Sequence, residues 1–456
     1  MTRVFVFARA DKPGTYEVLF QAAHAISDGI SGATLARTFF DVLSSPPIQA
    51  PALEKRLAMA VPSNVLNPSL KMSLARQRWR RAIGKVTFFN MRKRLAGGHT
   101  LPRTITEETY RTPATTARVF VRINPASTRT ILASCKKHKV TFGAAIPVIA
   151  QMALTRLLHR RYLRGDIPLE EWEHRRRQPM HLGGHVNLRP YLDEAWQRAG
   201  GVGEMLLMID HYDVALPFMP APFGARRDAG VPREDDGAPP YAALLSRARF
   251  LHRAQLSKQE LTRAVKHPLL LEIAHARQPL WLARQRKIVT HWQAAAKGEP
   301  LPAFPELDAA SSEYSVSVNL TSIGDSSPIL PSTYPLPPTH PLCIRAVHAL
   351  HSLAYGTMGE AATATRSTPP PPTIAAPTTD APPTAFRMVN YDIYLHARPA
   401  GLLVGSATIG GHITILLTYD ANVYRSEDAE EYLNECRLAT LYYFGTDESS
   451  AILVKL

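Results

Sequence analysis

The pattern of hydrophobic and polar positions predicts a strand followed by a helix near the start of the chain. The segment from Tyr16 to Ala23 is mostly apolar and is typical of a buried β-strand. From Gly32 to Leu43 apolar residues recur at helical spacing, which predicts a helix with one apolar face. The residues between these two segments are therefore expected to form a turn that leaves the end of a strand.

Strands and helices continue to alternate along the rest of the chain. Strands are predicted at residues 117–123, 186–188, 200–208, 314–320, 388–396, 402–408 and 412–418, and helices at 127–138, 141–162, 241–295 and 426–444. Residues 74–95 predict a basic amphipathic helix that runs into a strand and packs on the domain with its arginines outward. Pro147 is expected to kink its helix, and Pro268 and Pro279 to interrupt the long one. These elements predict an α/β fold.

Proline and glycine mark the segments between these elements. Residues 46–70 and 217–240 predict surface loops, and residues 96–116 predict a crossover between two halves of the protein. Residues 361–385 are rich in proline and low in complexity, which predicts a disordered surface insertion. The Gly410-Gly411 pair predicts a hairpin turn.

Length and cysteine content limit the number of domains that the chain can form and the cross-links or metal sites that it can contain. A chain of 456 residues with 45% hydrophobic content can form two substantial domains or one pair of related halves. Its three cysteines, Cys135, Cys343 and Cys436, lie far apart and predict neither a disulfide framework nor a metal site. No apolar run approaches the ~18 residues of a membrane span. We therefore expect a cytoplasmic protein without a transmembrane segment or a bound metal.

The net charge of +15 raises the question of a nucleic-acid partner. Much of the positive charge falls in residues 76–94 and 175–177. Neither stretch carries a nucleic-acid-binding motif, so a solvated basic face is the favoured interpretation and no nucleic-acid partner is expected. Attraction of the phosphate of an anionic small molecule or of a membrane surface is the alternative.

Candidate chemistry lies in the turn after the first predicted strand. His24, Asp28 and Gly29 form the pattern H-x-x-x-D-G. A histidine can take a proton from a hydroxyl or an amine and return it to a leaving group. Asp28 could orient the ring or lock the turn through an arginine, and Gly29 and Gly32 would permit backbone angles that other residues resist. The alternative is a buried histidine beside a turn-forming Asp-Gly pair.

The H-x-x-x-D-G segment resembles the signature of the CoA-dependent acyltransferases with a chloramphenicol-acetyltransferase-like fold. This superfamily includes the BAHD enzymes, the condensation domains of peptide synthetases and the fungal trichothecene O-acetyltransferases. Asn187 to Pro190 is similar to the N-x-R-P segment of the family, whose arginine typically pairs with the motif aspartate. Ser322-Ile323-Gly324 is a third, weaker match.

Two departures from the family pattern change what the resemblance implies. Condensation domains usually carry two adjacent histidines, and Ala23 stands in place of the first, which favours the O-acyltransferase branches. The family normally has on the order of a hundred or more residues before the motif, whereas 23 precede His24 here. The first of two subdomains, residues 1–105, is therefore expected to be shortened at its N-terminus, and residues 106–456 form the second.

The resemblance also implies a reaction and a set of site residues. His24 would act as the general base, Asp28 would hold the motif turn through Arg189, and Asn187 and Gly29 would shape the site. Ser322 and Gly324 would contact the substrate, with Ser322 able to donate to an oxyanion, although strand-end hydroxyls are more often structural.

The implied reaction moves an acyl group, with acetyl favoured, from acyl-CoA as co-substrate to a small-molecule alcohol of secondary metabolism. No permanently bound cofactor is expected, and the protein is expected to be a monomer. Two alternatives stay open at this point. One is a condensation-like domain that forms amides, and the other is a non-catalytic remnant of an acyltransferase.

Overall fold

The computed structural model describes residues 2–45, 52–228, 230–300, 316–343, 384–445 and 451–455. The chain divides into two compact units, each assembled from separate stretches of sequence. The first unit contains residues 1–61, 194–208 and 326–391, and the second contains residues 62–193, 209–325 and 392–456. The sequence predicts two subdomains that meet between residues 105 and 106. That division of the chain stays a prediction.

Strands and helices alternate as the sequence predicts. The helices are α1 (Gly29–Ser44), α2 (Leu53–Met59), α3 (Leu74–Lys93), α4 (Pro125–Lys137), α5 (Phe142–Arg164), α6 (Leu169–Arg175), α7 (Glu194–Arg198), α8 (Tyr241–Leu244), α9 (Arg247–Val265), α10 (Leu270–Lys297) and α11 (Ser426–Phe444). The strands are β1 (Thr2–Ala8), β2 (Tyr16–Ala22), β3 (Thr116–Ile123), β4 (Met180–Asn187), β5 (Ile209–Leu216), β6 (Val316–Asp325), β7 (Thr333–Pro335), β8 (Ala385–Arg387), β9 (Leu402–Ile409), β10 (His412–Asp420) and β11 (Ala451–Lys455).

The first unit holds an antiparallel hairpin packed beside a helix. β1 pairs with β2 along its whole length, from Thr2 opposite Ala22 to Ala8 opposite Tyr16. The ring of Phe20 on β2 meets the edge of Phe39 on α1, with 5.3 Å between ring centroids. The predicted strand at 16–23 is confirmed, but it is mostly exposed rather than buried, because only one side of the hairpin faces α1.

The second unit is built on a seven-stranded mixed sheet with the strand order β11-β3-β10-β9-β6-β4-β5. β6 runs parallel to β9 and β4, and the other neighbouring strands are antiparallel. Helices α4, α5 and α11 pack against the sheet and close one continuous hydrophobic core.

Helix α5 is the central helix of this core. Of the helices that the structure describes, it alone is long and apolar enough to cross a membrane by length and composition, but 89% of its most apolar window is buried inside the protein. Thr141 caps its N-terminus, as the sequence predicts, by accepting a hydrogen bond from the Ala144 N–H. The helix is assigned as continuous through Pro147, which lies early in it.

Several sequence predictions are wrong in detail. Residues 200–208 form a short helical turn and a loop instead of a strand, because Gly200 adopts a left-handed conformation with φ of 96° and β5 begins only at Ile209. α3 stays helical to Lys93 and does not run into a strand. Pro268 separates α9 from α10, whereas Pro279 lies inside α10 without ending it.

The segments near the proline-rich region also differ from expectation. The strand predicted at residues 388–396 is wrong, because these residues pair with no other strand. Within the segment, the Asp392 carboxylate instead accepts hydrogen bonds from Arg118 (3.1 Å) and Arg122 (3.4 Å). The predicted disordered insertion at 361–385 lies outside the described residues except for its last two, and Ala385 begins β8.

The packing of α3 on α10 gives a stability prediction at Gly84. A β-carbon added there would lie 2.5 Å from the Cβ atom of Glu272 on α10. We expect Gly84→Ala to lower the free energy of unfolding by about 1–3 kcal/mol, because the helices must move apart. Gly32→Ala on α1 is the matched control, since nothing lies within 4 Å of the added carbon, and it should stabilise by about 0.5–1 kcal/mol. Urea unfolding measures both, and a stabilising Gly84→Ala would contradict the packing.

Candidate active site

His24 lies at the tip of the turn that joins β2 to α1. The carbonyl of Ala23 accepts hydrogen bonds from the Ile26 N–H (3.0 Å) and from the Ser27 hydroxyl (3.2 Å), which fixes the turn. The His24 side chain itself is exposed. The turn therefore presents an accessible imidazole on a well-bonded backbone, and the alternative of a buried histidine is wrong.

Asp28 is the N-cap of α1 and is buried at 5% exposure. One carboxylate oxygen, Oδ1, accepts the Ser31 N–H at 3.0 Å, and the Asp28 N–H donates to the Ser31 hydroxyl at 2.8 Å. The second oxygen, Oδ2, accepts the Met208 N–H at 2.9 Å. Both oxygens of the carboxylate thus bond to backbone, which suits a residue that positions the turn rather than one that transfers a proton.

This cap also changes two expectations about the turn. α1 begins at Gly29, three residues before the predicted start at Gly32, because Asp28 satisfies the first free N–H groups of the helix. Neither Gly29 nor Gly32 has a positive φ. The expectation that these glycines supply unusual backbone angles is therefore wrong.

The capping geometry predicts a structural cost at Asp28 that is independent of substrate. Asp28→Ala should lower the free energy of unfolding by about 1–2 kcal/mol, because the cap and the bond to Met208 are lost together. Asp28→Asn should lose less, since asparagine caps helices as well as aspartate does. Thermal unfolding of the substrate-free protein measures both changes. If Asp28→Ala left the unfolding temperature unchanged, the carboxylate would have no positioning role.

In the second unit, the N-x-R-P segment follows β4. Asn187 ends the strand, and its Oδ1 accepts hydrogen bonds from the Arg189 N–H (3.1 Å) and from Arg189 Nη1 (3.3 Å). Arg189 is buried at 1% exposure. Asn187 therefore fixes the orientation of a buried arginine. The pairing of Arg189 with Asp28 concerns residues of different units and stays a prediction.

Ser322 lies at an irregularity in β6, where the pairing with β9 shifts register between Ser322 and Gly324. Gly324 has φ of 74°, a left-handed conformation that favours glycine. The hydroxyl of Ser406 on β9 donates to the exposed Ser322 hydroxyl at 3.1 Å. Because Ser322 accepts this bond, its own hydroxyl proton is available for donation.

The Ser322 hydroxyl also lies beside the first turn of α5. A β-carbon at Gly143 would stand 2.8 Å from Ser322 Oγ, so only glycine allows this approach without a shift of the serine. A hydroxyl at the N-terminal end of a helix is in a region of positive potential. This surrounding suits a group that donates to a developing negative charge.

A histidine pair in the second unit was not predicted from the sequence. His185 on β4 lies directly opposite His211 on β5, with 4.3 Å between ring centroids. His185 Nδ1 donates to the carbonyl of Leu320 at 2.9 Å. Burial and the neighbouring His185 lower the pKa of His211 to about 3, so its ring is neutral near pH 7. No local pattern links residues 26 positions apart, and only the pairing of the two strands brings them together.

The layout of the sheet and its helices identifies the fold class. The protein, with its central mixed sheet and packed helices, has the chloramphenicol-acetyltransferase-like fold. Among solved structures, the trichothecene 15-O-acetyltransferase from Fusarium sporotrichioides is similar, with a TM-score of 0.54 over 97% of this chain and 70% of that chain, at 12% identity. The predicted resemblance is confirmed at the level of the fold.

Two further solved structures have lower similarity. The epimerization domain of the third module of tyrocidine synthetase B has a TM-score of 0.47 at 11% identity, over 97% of this chain and 72% of that one. The X-domain from teicoplanin biosynthesis has a TM-score of 0.48 at 12% identity, over 99% and 75%. No family model matches the chain, and no curated protein matches its sequence.

Proposed function

We propose that the protein is an acyltransferase that moves an acyl group from CoA to the hydroxyl of a small-molecule alcohol. The observation that carries this proposal is the exposed His24 on a turn fixed by the buried cap Asp28. The fold shared with a 15-O-acetyltransferase supports it. Ala23, in place of a second histidine, favours a hydroxyl over an amine as acceptor.

In the proposed reaction, His24 takes the proton of the acceptor hydroxyl while the oxygen attacks the thioester carbonyl. The tetrahedral intermediate carries a negative oxygen, to which the Ser322 hydroxyl donates a hydrogen bond. The carbon–sulfur bond then breaks, and the imidazolium of His24 returns its proton to the departing thiolate. The products are an ester and free CoA, and the residues that perform these steps need no permanently bound cofactor.

Other residues position these groups in the proposal. Asp28 and Arg189 hold the motif turn and the N-x-R-P segment, and Gly324 and Gly143 give the Ser322 hydroxyl its place. We further propose acetyl as the acyl group and a secondary-metabolite alcohol as the acceptor, by analogy with the similar acetyltransferase. A cytoplasmic monomer is proposed as well, since the three cysteines are buried free thiols that suit a reducing compartment.

The direct test supplies acetyl-CoA with a panel of alcohols and matched primary amines, and follows both thiol release and product mass. Release of CoA that depends on added alcohol, with an ester as product, is the expected result. An amide as the preferred product would favour a condensation-like activity instead. If no acceptor increases the rate of CoA release, the proposed acyl transfer is contradicted.

A further inference from the structure

Helix α3 exposes an apolar stripe on the surface of the second unit. The apolar stripe is defined as Trp79, Ala82, Val86 and Phe89, which recur at helical spacing and therefore lie on one side of the helix. Trp79 is 67% exposed, Val86 55% and Phe89 39%. A row of large apolar side chains in water is unusual on a helix that already has a packed side.

A different side of α3 packs against α10, so the stripe is not needed to hold the helix in place. Arg80 Nε donates to Glu272 Oε1 at 2.9 Å, and Gly84 lies against the backbone of Glu272. Phe88 is buried on this same side, with the Arg277 guanidinium 5.5 Å from its ring centre. α3 therefore has two apolar sides, one anchored on α10 and one exposed.

The surroundings of the stripe are strongly basic. Arg78, Arg81 and Lys85 border it on one side and Arg76 on the other, and all four are exposed. No aspartate or glutamate occurs between Glu54 and Glu107. α3 therefore carries no carboxylate of its own, and the exposed charged side chains that border the stripe are all cations.

We propose that the apolar stripe and its flanking cations dock on the surface of an anionic lipid membrane. A helix with an apolar side, a basic border and an aromatic residue lies in the plane of the headgroups, with its apolar side chains inserted and its arginines on lipid phosphates. The indole of Trp79 suits this depth, because tryptophan favours the membrane–water interface. The stripe, about 15 Å long, would lie along the membrane plane.

Charge and hydrophobicity together favour this partner over two others. A nucleic acid would use the cations but would leave Val86 and Phe89 in water. An acidic protein surface would need its own apolar groove to match the stripe, whereas a membrane offers an apolar layer beneath its anionic headgroups at every point of its surface. This docking does not depend on the acyltransferase activity proposed above.

The test is flotation of the full chain with vesicles. Vesicles of phosphatidylcholine alone are compared with vesicles that contain about 30% phosphatidylserine, at low and high salt. We expect binding to the anionic vesicles that salt weakens, and little binding to the neutral ones. Binding of equal strength to both kinds of vesicle, or none to either, would overturn the proposal, and the second result would leave an acidic protein as the partner of this helix.

Variants separate a specific role of α3 from general attraction by a basic protein. Arg78→Gln with Lys85→Gln should weaken binding roughly thirtyfold, since each cation near an anionic surface contributes about fivefold. Lys136→Gln with Lys137→Gln on α4 changes the net charge equally and should leave binding nearly unchanged. Equal losses in the two pairs would mean that net charge alone acts.

Serine variants test the apolar contribution in the same way. Trp79→Ser with Val86→Ser should weaken binding to anionic vesicles by tenfold or more, whereas Phe218→Ser, at a loop residue that is 59% exposed, should not. All three residues are exposed, and far-ultraviolet circular dichroism checks whether each variant is folded. Unchanged binding of the α3 double variant would contradict insertion of the stripe.

Discussion

Replacing His24 by alanine is expected to slow release of CoA by about 10²–10⁴-fold, the usual contribution of a general base. The loss should appear in kcat, because in the proposed reaction the imidazole takes the proton that leaves the acceptor in the transition state. The side chain is exposed, so the variant should unfold at the wild-type temperature. Steady-state rates with acetyl-CoA and a responsive alcohol measure the effect.

A matched histidine tests whether the loss belongs to the motif. His252→Ala removes another exposed imidazole, on α9 in the second unit, and should leave the rate within about twofold of wild type. Equal rates for His24→Ala and the wild-type protein would show that His24 takes no part in transfer. In that event the non-catalytic interpretation of the chain would be preferred.

Replacing Arg156 by alanine is expected to lower the free energy of unfolding by about 3–5 kcal/mol, the cost of breaking a buried ion pair from one side. The Arg156 side chain on α5 is 2% exposed, and it bonds to Glu435 on α11 at 2.8 Å and to Glu234 at 2.6 Å. Glu435 is 1% exposed and also accepts the Tyr241 hydroxyl at 2.6 Å. Without Arg156, a buried carboxylate would lose one of its two guanidinium partners.

An exposed ion pair provides the control for this change. Arg198 and Glu194 lie 3.2 Å apart with side chains 72% and 82% exposed, so Arg198→Ala should cost no more than about 0–1 kcal/mol. Urea unfolding followed by circular dichroism measures both variants. A similar small loss for both would mean that the buried network contributes little to stability.

The same network predicts how stability changes with pH. Burial alone would raise the pKa of Asp236, but the Ala238 N–H and the Arg156 guanidinium outweigh it, so the pKa is lowered. The pKa of Asp428 is lowered too, against the effect of burial, by hydrogen bonds from Arg425 and Arg161. A carboxylate whose pKa is lower in the folded than in the unfolded state stabilises the folded protein at pH values above its unfolded pKa, which is near 4.

The sign of the pH effect follows from these shifts. Stability should be constant from about pH 7 to pH 5 for these two groups and should fall as the pH passes below their unfolded values. In Arg156→Ala, the loss of stability at low pH that is due to Asp236 should be smaller. The loss that is due to Asp428 should remain, since Asp428 bonds to other arginines. Unfolding free energies measured between pH 3 and pH 7 test this.

Local patterns in the sequence predicted the elements that local interactions build. The β9–β10 hairpin is confirmed, with Gly410 and Gly411 both at positive φ, because such a turn depends on its own residues. The start of α1 was placed too late, although a signal was present. Asp28 with Ser31 three residues on is a capping pair, and it marks the helix start more sharply than apolar periodicity does.

Contacts between distant segments could not be predicted in this way. The bond from Met208 to Asp28 joins residues 180 positions apart, and the pair of His185 and His211 arises from strand pairing. His24, Asn187 and Ser322 were named from the sequence because they match the motifs of the family that the chain resembles, and their part in a site stays a prediction. Their environments required the tertiary structure, since burial and hydrogen-bond partners come from elsewhere in the chain.

The discontinuous first unit has a consequence for how the protein matures during synthesis. Its three stretches end at residues 61, 208 and 391, so the hairpin and α1 leave the ribosome long before their partners exist. Until Met208 has been translated, its N–H cannot donate a hydrogen bond to the Asp28 carboxylate. The unit can therefore complete its fold only after segments that are distant in sequence have come together. The turn that carries His24 is thus translated well before Met208 and acquires all of its supporting contacts only after that residue has been made.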